Sequence, residues 1–171
     1  TPRWLDELVY DRAFDAWDHF DHTLARNLLE PHKARCTEPW KALFRLTGPN
    51  PAYLPVIDLL RNAERRAARG RYDDATARLY RALEMLAQMR MGARSPALDS
   101  SRLNPTDLPD HLRTAYASMA GDDGIIRLGL RQDYELLQAL DDPLGQIYGT
   151  HAPRLLQTLE YRNASILAHG T

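Results

Sequence analysis

Residues 52–87, AYLPVIDLLRNAERRAARGRYDDATARLYRALEMLA, contain two apolar repeats of helical period separated by one glycine. The first repeat predicts a helix that ends at Ala68, because Gly70 stands where a left-handed residue would terminate it. Asp73 and Asp74 suit the start of a second helix, since carboxylates interact favourably with the positive end of the helix dipole. This stretch therefore predicts a hairpin of two helices.

Each helix of the hairpin is expected to bury one apolar stripe. In the first helix, which tolerates Pro55 in its first turn, the predicted stripe is Leu54, Ile57, Leu60 and Ala67. In the second helix it is Leu79, Leu83, Leu86 and Ala87. Residues 70–75 also resemble part of a tetratricopeptide repeat, but such repeats recur at about 34 residues and the sequence holds one copy. A tight helical hairpin is the better interpretation.

Helical periodicity continues on both sides of the hairpin. Upstream, apolar residues recur from Trp4 to Leu28, and Pro31 is expected to end that helix. A short apolar piece and a proline-rich bend follow, at 40–46 and 48–51. Downstream we expect a surface loop over 92–109 and a helix over 110–120. A turn at 121–124 and a minor edge element at 125–128 follow, and two further helices are expected over 133–140 and 154–168. The predicted class is all-α: a helical bundle with one long surface loop and at most a minor β element.

Composition limits the function classes. The 171 residues are 44% hydrophobic and 26% charged, which is typical of one soluble domain and predicts a single domain over 1–171. The apolar runs are too short to cross a membrane. A formal net charge of -1 offers no bulk attraction for nucleic acid, so any such site must be a local basic patch. The single Cys36 excludes an internal disulfide and fits a reducing cytoplasm.

The first residues, Thr1-Pro2-Arg3-Trp4, show neither an initiator methionine nor the pattern of a signal peptide. They enter a helical pattern almost at once. We therefore expect a fragment of a longer protein.

The segment 162–170, RNASILAHG, carries the side chains with the most reactive chemistry. His169 follows Arg162 by about two helical turns, so both can project from one face of a helix. Arginine offers a planar, permanently charged fork for a phosphate, and histidine can take or give a proton near neutral pH. Asn163 and Ser165 add polar groups nearby. The spacing alone leaves a structural alternative open, a solvated arginine and a histidine bound to a nearby backbone group.

The same segment resembles the signature of HEPN ribonucleases, an Arg and a His with four to six residues between them and a polar residue after the Arg; here six residues lie between them. Further segments are similar to one branch, the CRISPR-associated proteins that join a nucleotide-sensing CARF domain to a C-terminal HEPN domain. These segments are NAERR at 62–66, GRYDDA at 70–75, RLYRALE at 78–84 and LGL at 128–130. The resemblance covers most of the chain from Pro51 to Gly170.

The resemblance implies a HEPN-type helical domain that cleaves single-stranded RNA as a homodimer, with one composite site built by both chains. It implies Arg162, His169 and Asn163 as catalytic residues and Ser165 as a substrate-binding residue, with no metal or cofactor. It also implies an upstream CARF domain that binds cyclic oligoadenylate, for which no βαβ pattern is visible here. The competing hypotheses are an inactive dimerisation or interaction module, a HEPN toxin, and a partner of a nucleotidyltransferase.

Two arginines in the second helix of the hairpin are further candidates for RNA binding. Arg78 and Arg81 lie one turn apart, with Tyr80 nearby. The alternatives are a solvated arginine face or an ion pair between Arg81 and Glu84.

A metal site near the start of the chain is a weaker candidate. His19 and His22 are flanked by acidic residues, but no complete ligand set is evident. Those acidic residues are Asp15, Asp18 and Asp21. Three other histidines receive no role: His32, His111 and His151. The tryptophans Trp4, Trp17 and Trp40 are expected in the core and not as platforms for base stacking.

Overall fold

The computed structural model describes residues 3–151, with side chains from residue 7 onward. This part of the chain is all-α, as predicted, and contains no strand. Its α-helices are α1 (Arg3–Asp18), α2 (His22–Leu29), α3 (Thr37–Leu46), α4 (Leu54–Ala68), α5 (Tyr72–Gly92), α6 (Asp110–Ala117) and α7 (Leu130–Ala139). Residues 143–151 are also helical and are called α8 below. Two short 3-10 helices occupy Glu30–His32 and Pro105–Asp107.

The hairpin of α4 and α5 confirms the sequence prediction. Pro55 lies in the first turn of α4. Gly70 adopts a φ of +73°, the left-handed conformation in which glycine avoids the steric penalty of a side chain. Asp73 and Asp74 lie in the first turn of α5. Local sequence signals were sufficient here because the turn and both helix ends depend on neighbouring residues.

The predicted inner stripe of α4 was wrong. Ile57 is 50% exposed and Leu60 is 38% exposed. The buried residues of this helix are Val56, Asp58, Leu59, Asn62, Ala63 and Arg66. Because three of these six are polar or charged, hydrophobicity alone pointed to the wrong face.

The stripe of α5 was predicted correctly in part. Ala87 is buried, and Leu83 packs against the core of its unit while remaining partly accessible. Leu79, however, is 42% exposed. The residues of α5 that are buried outright are small or flexible: Ala75, Ala82, Ala87 and Met91. Small residues allow a neighbouring helix to approach closely, so most of the buried side chains of α5 are smaller than the leucines that the sequence pattern favoured.

The described residues form two compact units that divide between Asp58 and Leu59, within α4. The domain boundary predicted at 1–171 stays a prediction. In the first unit, α1 packs against α2, and α2 packs against α3. Its core consists of Ala13, Ala16, Ala25, Leu29 and Leu43.

The prediction of one helix from Trp4 to Pro31 was wrong. The helix breaks after Asp18, where Phe20 takes a φ of 64°. Asp21 then caps α2, since its Oδ1 accepts a hydrogen bond of 3.0 Å from the backbone N–H of Leu24. The cap satisfies a backbone donor that the broken helix would otherwise leave open.

The second unit has a core to which the long loop contributes. The loop over 92–109 was predicted, but four of its side chains are buried and not at the surface: Leu98, Ser100, Leu103 and Leu108. Leu103 forms an antiparallel bridge with Ile126, with backbone N–O distances of 3.0 and 2.9 Å. This bridge is the minor β element expected at 125–128. It ties the loop to the segment that precedes α7.

Helix α8 crosses α7 at a glycine. A Cβ atom built on Gly145 would overlap the backbone nitrogen of Gln138 and would lie 2.5 Å from its Cα. Gly149, one turn later, faces the Gln138 side chain: a Cβ atom built on Gly149 would lie 2.9 Å from Nε2 of Gln138. Two glycines four residues apart therefore allow α8 to lie directly on the backbone of α7.

Gly145→Ala is expected to lower the free energy of unfolding by about 3 kcal/mol, because the added methyl group meets helix backbone, which cannot rotate away. Gly92→Ala is the matched control, since no described atom lies within 4 Å of a Cβ at that helical position. The control should be neutral or stabilising by about 0.5–1 kcal/mol. Urea unfolding of both variants measures the difference, and equal midpoints would contradict the close crossing.

Candidate functional site

The predicted catalytic segment lies outside the described residues. Arg162, Asn163, Ser165 and His169 all follow residue 151, as does the helix predicted over 154–168. Their roles stay predictions from the sequence. The structure does describe the elements that lead to this segment, and the described part of α8 reaches residue 151, eleven residues before Arg162.

The start of α8 is fixed by a buried carboxylate. Asp142 is 4% exposed and caps the helix by accepting a hydrogen bond of 3.0 Å from the backbone N–H of Leu144. Arg90 donates from Nε to both carboxylate oxygens, at 3.1 and 2.8 Å. Arg94 adds an ion pair at 3.5 Å. A buried charge of this kind is tolerated only when it is paired, so these contacts hold α8 to the end of α5.

An apolar groove of about 360 Å³ lies beside α8. Tyr134 and Tyr148 stack at its wall with ring centroids 4.4 Å apart, and the Tyr134 hydroxyl donates to the Leu83 carbonyl at 3.0 Å. Burial raises the pKa of both phenols, so they stay neutral at physiological pH. The groove is lined by Leu83, Leu86, Tyr134, Leu144, Ile147, Tyr148 and His151. Six of these seven side chains are apolar or aromatic, so the lining is suited to packing more than to acid–base chemistry.

Arg78 and Arg81 are both engaged in contacts within α5. Arg78 donates to the Asp74 carbonyl at 3.1 Å, and its side chain is 19% exposed. Arg81 donates to Glu84 at 2.7 Å and is 48% exposed. The ion pair that was the alternative interpretation of Arg81 is therefore present. A role for either arginine in RNA binding stays a prediction.

The histidines near the end of α1 do not converge. His19 Nδ1 contacts the Asp15 carbonyl oxygen at 2.8 Å, whereas His22 Nε2 lies 2.8 Å from Oδ2 of Asp58. Asp58 is buried and also accepts a hydrogen bond of 2.8 Å from the Trp17 indole. No group of three or more metal-ligating side chains occurs among residues 7–151. The contacts of His22 are those of a structural histidine.

Asp133 is a buried carboxyl group that sequence reasoning did not single out. It is fully buried on α7, close to the hydroxyl of the buried Ser100. Burial raises the pKa of Asp133 to about 7; the nearby Ser100 hydroxyl opposes this change and the charge of Glu84 adds to it. The sequence held one indication that Asp133 is buried. It lies three residues after Leu130 and four before Leu137, on the face of α7 that carries these apolar residues.

The all-α architecture, with its helical hairpin and long loop, is consistent with a bundle of the HEPN type. A family model described as "Csm6 HEPN domain" matches residues 46–171, and the chain belongs to this family. The resemblance seen in the sequence is thereby confirmed at the level of a CRISPR-associated HEPN domain. Searches of curated proteins and of solved structures gave no match. No helix among the described residues is long and apolar enough to cross a membrane.

Proposed function

We propose that this chain is a metal-independent endoribonuclease that cleaves single-stranded RNA in CRISPR antiviral defence. The proposal rests on the family match over 46–171, a range that includes both Arg162 and His169. HEPN domains are generally ribonucleases. The Arg/His pair is the part of the sequence whose chemistry suits that reaction.

In the proposed mechanism the RNA supplies its own nucleophile. The 2′-hydroxyl loses its proton and its oxygen attacks the adjacent phosphorus, while the bond to the 5′-oxygen breaks and that oxygen gains a proton. His169 accepts the first of these protons or donates the second. Arg162 holds the phosphate and stabilises the charge that develops in the transition state. Asn163 and Ser165 supply polar contacts beside them.

The site is proposed to be composite, with the Arg/His helices of two chains facing each other. A two-fold contact of this kind is the commonest symmetry of soluble oligomers. In the full protein, an upstream CARF domain is proposed to bind cyclic oligoadenylate and to raise cleavage through the dimer. The family match and the resemblance of the sequence support both steps.

Cleavage should proceed in EDTA and should yield a 5′ fragment that ends in a 2′,3′-cyclic phosphate. DNA of the same sequence should be inert because it lacks the 2′-hydroxyl. If the site is composite, the rate should rise more steeply than linearly with protein concentration. Mass spectrometry of the products and a dilution series measure these outcomes. Loss of cleavage on chelation would contradict the metal-independent mechanism.

A further inference from the structure

Helix α3 presents an aromatic stack at the surface of the first unit. Trp40 and Phe44 lie one helical turn apart, with ring centroids 5.2 Å apart and planes inclined at 25°. Trp40 packs partly against the core of the unit, as predicted, whereas Phe44 is 55% exposed. The ammonium group of Lys33 lies 5.4 Å from the centre of the Trp40 ring. Lys33 also pairs with Glu30 at 2.6 Å, and Glu30 accepts a hydrogen bond of 2.7 Å from the Trp40 indole. The open aromatic surface of the stack is therefore the Phe44 ring.

This stack lies in the most basic part of the unit. Residues 26–47 contain five arginines or lysines and two glutamates, a formal net charge of +3 in a chain whose total is -1. Lys41 and Arg45 follow the two rings by one position each and form a parallel row on α3. Both cations are exposed. The Lys41 side chain is 56% accessible and pairs with Glu38 at 3.0 Å, a surface ion pair of the kind that contributes little stability and leaves the ammonium group accessible to a phosphate.

We propose that the α3 platform, formed by Trp40, Lys41, Phe44 and Arg45, binds single-stranded RNA. A base stacks on the exposed Phe44 ring, and Lys41 and Arg45 contact the neighbouring phosphates. Single strands fit because their bases are free to leave the helix stack. The choice of RNA over other polyanions rests on the proposed function.

The charge around the platform favours an RNA strand. Lys41 and Arg45 accompany the two rings on α3, in a segment of formal net charge +3 that suits a chain of phosphates. All four platform residues precede residue 46, where the family match begins. The platform is therefore a site additional to the one proposed around Arg162 and His169.

The same unit contains a natural control for this proposal. Phe14 and Trp17 on α1 also stack, with centroids 6.2 Å apart and planes inclined at 12°, and Phe14 is 45% exposed. Residues 6–21, however, contain six acidic residues and one arginine, a formal net charge of -5. An RNA strand is repelled there, so an exposed aromatic pair without cations should not bind it.

The test is fluorescence anisotropy of the 171-residue chain with a short labelled single-stranded RNA, in EDTA and with His169→Ala to prevent cleavage. Phe44→Ala should weaken binding about 5–150-fold, the loss expected for one stacked base. The double variant Lys41→Ala/Arg45→Ala should reduce the slope of log affinity against log salt by about 1.4, the value for two lost contacts to single-strand phosphates. Phe14→Ala and Arg61→Ala should bind like the parent.

Equal binding by the Phe44→Ala and Phe14→Ala variants would overturn the platform, even if the parent chain cleaves RNA. A Phe44→Ala variant that loses self-association in sedimentation, with RNA affinity unchanged, would overturn it as well and would identify α3 as an interface between copies. If Phe44→Ala weakens RNA binding but the chain with His169 intact shows no cleavage, the result would support the platform and contradict the proposed function. The two proposals therefore fail separately.

Discussion

His169→Ala should slow cleavage of single-stranded RNA by about 10²–10⁴-fold, the range for loss of a general acid or base. Arg162→Ala should slow it by about 10²–10³-fold, because one donor to the developing charge is removed. The pH profile separates the two roles. The change in cleavage rate near neutral pH should disappear in His169→Ala and persist in Arg162→Ala, since arginine stays charged over the pH range of the assay.

Two exposed residues provide matched controls for these variants. Arg131 is 68% exposed and pairs with Glu135, and His19 is 66% exposed at the end of α1. Alanine at either position should leave the rate unchanged, which separates loss of a catalytic group from loss of charge in general. Rates measured in EDTA that are equal in all four variants would mean that another site, or a contaminant, cuts the RNA.

Asp133→Asn should stabilise the protein at neutral pH by up to about 4 kcal/mol, the free energy that corresponds to a pKa raised from 3.8 to about 7. The folded chain holds the Asp133 proton more tightly than the unfolded chain does. Between about pH 4 and 7 the folded state therefore binds more protons, and the stability that protonation provides is lost as the pH rises through the folded-state pKa. Asparagine keeps the shape of the side chain and removes the charge.

Urea unfolding at intervals from pH 4 to pH 8 tests this result. The unfolding free energy of the parent should fall across that window, and the Asp133→Asn variant should show a flatter profile. Asp122→Asn is the matched control, because Asp122 is exposed in a turn, and its profile should follow that of the parent. Parallel profiles for the parent and the Asp133→Asn variant would show that the buried carboxyl group does not control the pH dependence.

The sequence was sufficient wherever the determinants are local. Gly70, Asp73 and Asp74 marked the turn and the helix ends of the hairpin, and the structure confirms each of them. The bridge at Ile126 also lies in the short segment that was expected to be an edge element. The family resemblance came from short motifs of the same kind, and the family match confirms it.

The sequence failed where a residue's environment is set by distant parts of the chain. Leu60 of α4 is exposed while Asn62 is fully buried, an arrangement that reverses the ranking by hydrophobicity. The loop leucines, Leu98 and Leu103, were expected at the surface because their neighbours are polar and proline-rich, yet they complete the core of the second unit.

Sequence alone thus determined the all-α class, the hairpin at 54–92 and the family, because each depends on residues close together in the chain. The pair proposed for catalysis also comes from the sequence alone and stays a prediction. Tertiary structure decided which helix faces are buried, that the Asp133 carboxyl group is fully buried, and that Gly145 lies on the backbone of α7. Burial and close approach depend on which elements pack together. That packing joins residues far apart in the sequence, and hydrophobic periodicity does not specify it.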